Sequence, residues 1–334
     1  MTKRDIEAVP LGSFTVGSRG DKEDPTIAPW RSNLTALSQE HNLYFVAFAE
    51  CVWVYGPIHD VETICHEPVQ IVHTLPSADK LQGYLSRHRP HAINNILVAK
   101  LGNEEVLACV RDDGDCEVFM LRHILSAIEN WRRDFSKSAD MLKLIFDRPI
   151  YRINVGISAW GLAIHSQARI LAVSSNRHEI TVVKFALVNG TDGTGSLPKA
   201  QAPKPETGER RTETSVQVFH GTSNIPHIAF CNTTDDPHGR WLATTDISGV
   251  CTFIDLQADS GFMQSVRFGP SFAEGGRHTY DRINAGWGIM FLDRRSFTSE
   301  TSKRRALGLD HGEELPDKTD PTIWDLSGTT RNLE

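Results

Sequence analysis

Residues 158–187 read SAWGLAIHSQARILAVSSNRHEITVVKFAL. The small residues Ala172, Val173, Ser174 and Ser175 suit a strand packed between neighbouring sheets. HEITVVKF (178–185) is rich in the β-branched and aromatic residues that a pleated surface favours. The same layout returns three times. It consists of a short apolar stretch, a turn, a small-residue strand containing alanine, a second turn and an alternating apolar strand. The other copies are NLTALSQEHNLYFVAFAECVWVYG (33–56), NNILVAKLGNEEVLACVRDDGDCEVFML (94–121) and NIPHIAFCNTTDDPHGRWLATTDISGVCTFIDL (224–256).

The landmark alanines Ala47, Ala108, Ala172 and Ala243 lie 61, 64 and 71 residues apart. A WD-type propeller blade takes ~40–45 residues, so each interval holds one blade and roughly twenty more. The surplus falls in 59–91, 122–150 and 188–215. A fifth unit begins at INAGWGIMFLD (283–293), which echoes SAWGLAIH, and IWDL (323–326) is read as its end. Asp/Gly pairs at 112–115 and 246–249 supply the chemistry of tight hairpins.

The expected fold is therefore all-β, a WD-repeat-like β-propeller of about four to five recognisable blades with one helical insertion. The layout stops partway through a fifth blade, so an incomplete propeller or fragment is expected beside a ring whose last blade is irregular. Residues 1–29 read as a flexible leader, 30–293 as the blades and 294–334 as a polar tail that could belong to the fifth blade. The insertions are a helical one at 122–150 and a flexible loop at 188–215, where almost no apolar side chains are present to offset ordering entropy.

The chain has 334 residues, 35 Lys+Arg against 42 Asp+Glu and a formal net charge of −7. Affinity for phosphate backbones depends on neutralising them with Lys and Arg, so direct nucleic-acid binding is disfavoured. The short basic runs Lys303-Arg304-Arg305 and Arg210-Arg211 lack flanking aromatic side chains. No stretch approaches the ~20 apolar residues that cross a bilayer, and the first residues lack the apolar core of a signal peptide. The six cysteines (Cys51, Cys65, Cys109, Cys116, Cys231, Cys251) form no CxxC pair and read as reduced thiols of a protein of the nucleus and/or cytoplasm.

No catalytic constellation emerges. There is no P-loop, no dinucleotide-binding glycine motif and no nucleophile elbow around Ser158. Asp112, Asp113 and Asp115 resemble half a calcium loop without its closing Glu, and read as a hairpin turn. His59, Cys65, His66, His73, His88 and His91 fit no structural zinc spacing, and His165, His178 and His227 read as blade histidines bonded to turns. No metal and no cofactor are expected.

Candidate partner-binding residues come from two patterns. In HILSAIENWRRDF (123–135), Ile124, Ile128, Trp131 and Phe135 share one helix face. That stripe either packs on the propeller wall or docks a partner. Trp160 and Trp287 recur at matching points of two units. This argues for packing, while an exposed copy would be an interface anchor.

RINVGISAWGLAIHSQARILAVSSNRHEITVVKFAL (152–187), with the 224–256 unit and GWGIMFLD (286–293), resembles the fungal family named for constitutive ribonucleotide-reductase transcription, over about Trp30 to Asp293. Family members are usually longer, so a truncated member is one expectation. The Trp-Asp ending of a WD repeat is degraded to Lys184-Phe185 and Ile254-Asp255 and is intact only at Trp324-Asp325. The resemblance implies a WD-repeat-like propeller acting in the nucleus on ribonucleotide-reductase genes. It also implies a link to a cullin-type ubiquitin ligase through a propeller adaptor, and brings no catalytic residues. A non-enzymatic protein-binding scaffold is the expected function. The alternative is a propeller hydrolase with a central-channel site that uses Asp and His from blade tips, Asp112 or Asp246 among them.

Overall fold

The computed structural model describes residues 30–58, 63–64, 68–77, 83–133, 145–186, 213–258, 263–267, 286–296 and 305. The leader 1–29, most of the 188–215 loop and most of the 294–334 tail lie outside these. The chain divides into two units, Met1–Phe291 and Leu292–Glu334. Of the second, the described part holds a short 3-10 turn, Arg294–Ser296, beside an ion pair of Asp293 with Arg295.

The first unit is a succession of antiparallel sheets. Strands β1 (Thr35–Leu37), β2 (Tyr44–Phe48) and β3 (Cys51–Tyr55) begin the first sheet. A two-stranded excursion, β4 (Pro57–Ile58) with β5 (Thr63–Ile64), precedes its fourth strand β6 (Gln70–His73). The second sheet contains β7 (Ile93–Leu101), β8 (Glu104–Arg111) and β9 (Asp115–Met120). Helix α1 (Leu121–Arg133) leaves directly from β9, and β10 (Ile145–Phe146) then pairs parallel with β6 of the first sheet. Only afterwards does β11 (Tyr151–Asn154) complete the second sheet against β9. The third sheet runs β12 (Ala159–His165), β13 (Ile170–Ser175), β14 (Glu179–Lys184) and β15 (Ser215–His220). The fourth runs β16 (His227–Phe230), β17 (Trp241–Thr245), β18 (Val250–Asp255) and β19 (Met263–Arg267). Four strands per sheet is the pattern of a propeller blade, and the first sheet carries β10 as a fifth, parallel strand.

The repeated alanines occupy equivalent places. Ala47, Ala108, Ala172 and Ala243 lie on β2, β8, β13 and β17, the second strand of each sheet, and all are buried. The small-residue strands were expected to lie between neighbouring sheets, and β8 is indeed buried on both faces. Leu107 and Cys109 pack toward the first sheet with Phe45, Val52 and Val72. Val106, Ala108 and Val110 pack toward the third with Leu162, Ile164 and Val173. A further cluster joins Ala172 and Val182 to Ile228, Leu242 and Ile254. Sheets covered on both faces read as near-continuous apolar runs, as VLACV (106–110) does. Each fully buried Val, Leu or Ile contributes about 1.5–3 kcal/mol.

The β2–β3, β8–β9, β13–β14 and β17–β18 hairpins each contain one residue with positive φ: Ala49, Gly114, His178 and Gly249. Such conformations suit hairpin turns because their twist matches that of the strands. Ser215, placed by sequence in the flexible loop, instead pairs with Lys184 and opens β15.

A candidate protein-interaction site

The densest group of chemically capable side chains is the β8–β9 hairpin, Arg111-Asp112-Asp113-Gly114-Asp115. All four charged residues are buried. Asp112 Oδ2 accepts from the amides of Leu85 and Ser86 at 2.9 and 2.7 Å, while Oδ1 accepts from Ser158 Oγ at 2.6 Å. Arg31, which donates to Asn94 at 2.7 Å, stands 3.7 Å from Asp112. Asp113 pairs with His91 at 2.7 Å and lies 3.3 Å from Arg111. Asp115 accepts from Ser77 N, Ser77 Oγ, Asn154 and Arg111. Arg111 also donates to Thr74 Oγ1 at 3.0 Å and to the Leu75 carbonyl at 3.1 Å.

Burying a carboxylate is tolerated only when donors replace its water. Burial by itself raises the Asp115 carboxyl, but the bonds from Ser77 and Asn154 and the Arg111 charge bring it below the usual carboxylate range. Glu117 goes the other way: burial lifts it, against the pull of Arg111 and Arg152. The hairpin was legible as a turn, but not as the anchor of the segments around 74–77, 84–91 and 154–158. Such an anchor leaves no local pattern in the sequence.

Asp246, in the β17–β18 turn, is used similarly. Its Oδ1 accepts from the amides of Ser248 and Val250, both at 2.9 Å. Asparagine side chains join successive sheets. Asn94 donates to the Ala159 carbonyl at 2.9 Å and Asn95 to that of Trp160 at 3.0 Å. His165 meets the Asp236 carbonyl at 2.8 Å and accepts from Ala168 N at 3.0 Å, and His227 accepts from Ile289 N at 3.3 Å.

The predicted docking residues fall in three settings. Ile124 and Ile128 are buried with Leu121, Phe119 and Phe146, so the stripe packs on the blades there. The Trp131 side chain and all of Phe135 lie outside the described residues. Trp160 is half-buried at the start of the third sheet, its Nε1 buried without a hydrogen-bond partner. Trp287 is 59% exposed, and nearby Met290 is 73% exposed. Their segment rests on the fourth sheet through Gly286 N to the Asp246 carbonyl (3.0 Å) and an edge-on contact of Phe291 with Phe253. Of the matching tryptophans, then, one packs and one is presented.

Among the described residues, Glu40, His41 and Glu105 bring ligand-type atoms within 4.8 Å of one another. Their carboxylates already have protein donors: Glu105 accepts from Ser38 Oγ at 2.5 Å and Gln39 N at 3.1 Å, and Glu40 pairs with Lys100. Of the histidine-rich set, His59, Cys65 and His66 lie outside the described residues, His73 is on β6, His88 is exposed and His91 pairs with Asp113. Burial raises the thiols of Cys109 and Cys116 and pushes those of Cys51 and Cys251 up to about 11. Among the described residues, no helix is long and apolar enough to cross a membrane.

Among solved structures, one chain of a mitotic checkpoint complex crystal structure aligns with a TM-score of 0.38. It is 11% identical and covers 79% of this chain and 62% of its own. A chain of the apo ctPRC2 complex in an autoinhibited state also gives 0.38, at 10% identity, covering 67% and 37%. In sequence, the chain is 27% identical over 273 residues to an uncharacterized WD repeat-containing protein of Schizosaccharomyces pombe, covering 80% of this chain and 45% of that protein. It is 26% identical over 174 residues to a WD40 repeat-containing protein of Dictyostelium discoideum, covering 52% of this chain and 20% of the relative. The chain thus spans less than half the length of either relative. The four successive sheets, one of five strands and three of four, are the fold that WD-repeat relatives would lead one to find. With the CRT10 family profile matching residues 20–272, the chain belongs to the CRT10 family.

Proposed function

We propose that this chain is a non-enzymatic protein-interaction scaffold. In this reading it acts in the nucleus as a regulator of ribonucleotide-reductase gene expression and is linked to a cullin-type ubiquitin ligase through a propeller adaptor. Membership of the CRT10 family and the WD-repeat relatives support the scaffold. The observation that carries it is the deployment of the side chains. The carboxylates of Asp112, Asp113, Asp115 and Asp246 are all buried and hold amides, hydroxyls and arginines of the fold, whereas aromatic and aliphatic side chains such as Trp287 and Met290 face outward. A central-channel hydrolase would have drawn on Asp112 or Asp246, and both are engaged in turns.

The test is affinity capture of the tagged full chain from fungal nuclear extract, read by mass spectrometry, beside Trp287→Ser/Met290→Ser. Recovery of cullin-ligase subunits, together with altered ribonucleotide-reductase transcripts when the chain is depleted, is the expected result. Recovery of chaperones alone with unchanged transcripts would overturn it.

A further inference from the structure

We propose that the segment Gly83–Arg89, with Ile157 beside it, is a docking surface for an acidic peptide segment of a partner protein that carries an apolar side chain. The proposal rests on the scaffold reading and deepens it by naming a surface and the chemistry it fits.

The backbone of the segment is fixed from beneath. Buried Asp112 accepts the consecutive amides of Leu85 and Ser86, and its other oxygen is held by Ser158. With the main chain pinned inward, Tyr84 and Leu85 stand 42% and 52% exposed, and Arg87 and His88 are exposed after them. Gly83 lies so close to Ile157 that a Cβ there would fall 2.6 Å from Ile157 Cγ1, and Ile157 is itself exposed. Three exposed apolar side chains thus stand on two segments that meet at Gly83 and Ile157. Because the backbone is ordered before any partner arrives, less conformational entropy remains to be lost on binding.

The electrostatics select the partner. Asp112, Asp113 and Asp115 are buried and matched by donors inside the protein, so they present little negative charge outward. Among the described residues, no carboxylate forms an ion pair with Arg87 or Arg89. Arg89 lies near enough to Arg31 to add to the lowering that burial imposes on that guanidinium. Arginines flanking exposed tyrosine and leucine complement an acidic segment with an apolar anchor, the charges steering encounter and the apolar contact holding it. A duplex would want a longer cationic track than this, on a chain of net charge −7.

The experiment is fluorescence anisotropy on the purified full chain, titrated into a labelled short peptide of Asp and Glu around two leucines. A leucine-free version and a labelled DNA duplex run in parallel. The expected result is saturable binding of the leucine-containing peptide that weakens with added salt. It should drop about tenfold in Arg87→Glu, and similarly in Leu85→Ser. Both substitutions alter exposed side chains and spare the amides bound by Asp112, so melting temperatures should match the parent. The proposal is overturned by absence of peptide binding, by equal binding in Arg87→Glu, or by tighter binding of the duplex. If Arg87→Glu and the parent capture the same proteins from extract, this surface is excluded while the scaffold reading stands.

Discussion

Asp112 and Ser158 meet across the boundary between the second and third sheets, Ser158 Oγ donating to Asp112 Oδ1 at 2.6 Å with both residues fully buried. Ser158 is held there at φ +35°. The pair joins two repeats through a side chain and binds them to the 85–86 backbone at the same time. Ser158→Ala should cost about 1–3 kcal/mol of stability, the desolvation of an acceptor that has lost one donor. Asp112→Ala should cost more, about 3–5 kcal/mol, because it strands several donors and the Arg31 charge. The double variant should fall short of the sum, since both changes remove one shared bond. Urea denaturation measures all three, and strict additivity would contradict the coupling.

Asp115 makes one contribution to the pH dependence of stability. Its carboxyl is held below the ordinary range in the folded chain, so the stabilisation is complete above the unfolded value near ~3.9 and is lost as pH falls through the folded value. Asp115→Asn should therefore be less stable than the parent at neutral pH. The gap should narrow as the pH drops below about 4. Urea midpoints across that range test this, and a pH-independent gap would refute it.

Helix α1 offers a packing test. Ile124 and Ile128 sit in the cluster with Phe45, Phe119 and Phe146, so truncating either to alanine should lower stability by about 2–5 kcal/mol. An effect below about 0.5 kcal/mol, ordinary for a surface position, would mean that the stripe is not core.

How much of this was legible in the sequence differs from element to element. The four alanines marked the second strand of each sheet correctly, because a strand between two packed sheets admits only small side chains at such points. The stripe of α1 was visible by its spacing, and its burial follows from the apolar wall that it faces. The parallel pairing of β10 with β6 was not visible, because Ile145-Phe146 is too short to carry a period and its partner lies more than seventy residues earlier. The role of Asp112 was hidden for a related reason. Asp in a hairpin reads as turn chemistry, while its donors Leu85, Ser86 and Ser158 are distant in sequence. Trp160 and Trp287 looked alike, and only packing separates them.

Gly114 is a backbone test. It has φ +86°, and a Cβ there would collide with the Gly156 carbonyl oxygen. Gly114→Ala should exceed the roughly 1–3 kcal/mol of positive φ alone, because the obstacle is main chain and cannot swing aside. Thermal melting reports it. A loss under about 1 kcal/mol would show that the hairpin relaxes.

The thiols should be kinetically silent in the folded chain. Thiolate is the reacting form, and burial raises Cys109, Cys116 and Cys251 well above neutral pH. Alkylation at neutral pH with peptide mapping should leave these three unmodified until denaturant is added. Early labelling of Cys109 would indicate that the first two sheets separate.

The excursion through α1 and β10 bears on the order in which the polypeptide can assemble. The outer edge of the first sheet receives its parallel strand from residues 145–146, after three strands of the second sheet have been made. During synthesis the first sheet described therefore waits, with one edge uncapped, for the second to emerge. Two repeats stitched in this way form one cooperative folding unit, while the third and fourth sheets, each a simple local meander, can close as soon as their own residues are available.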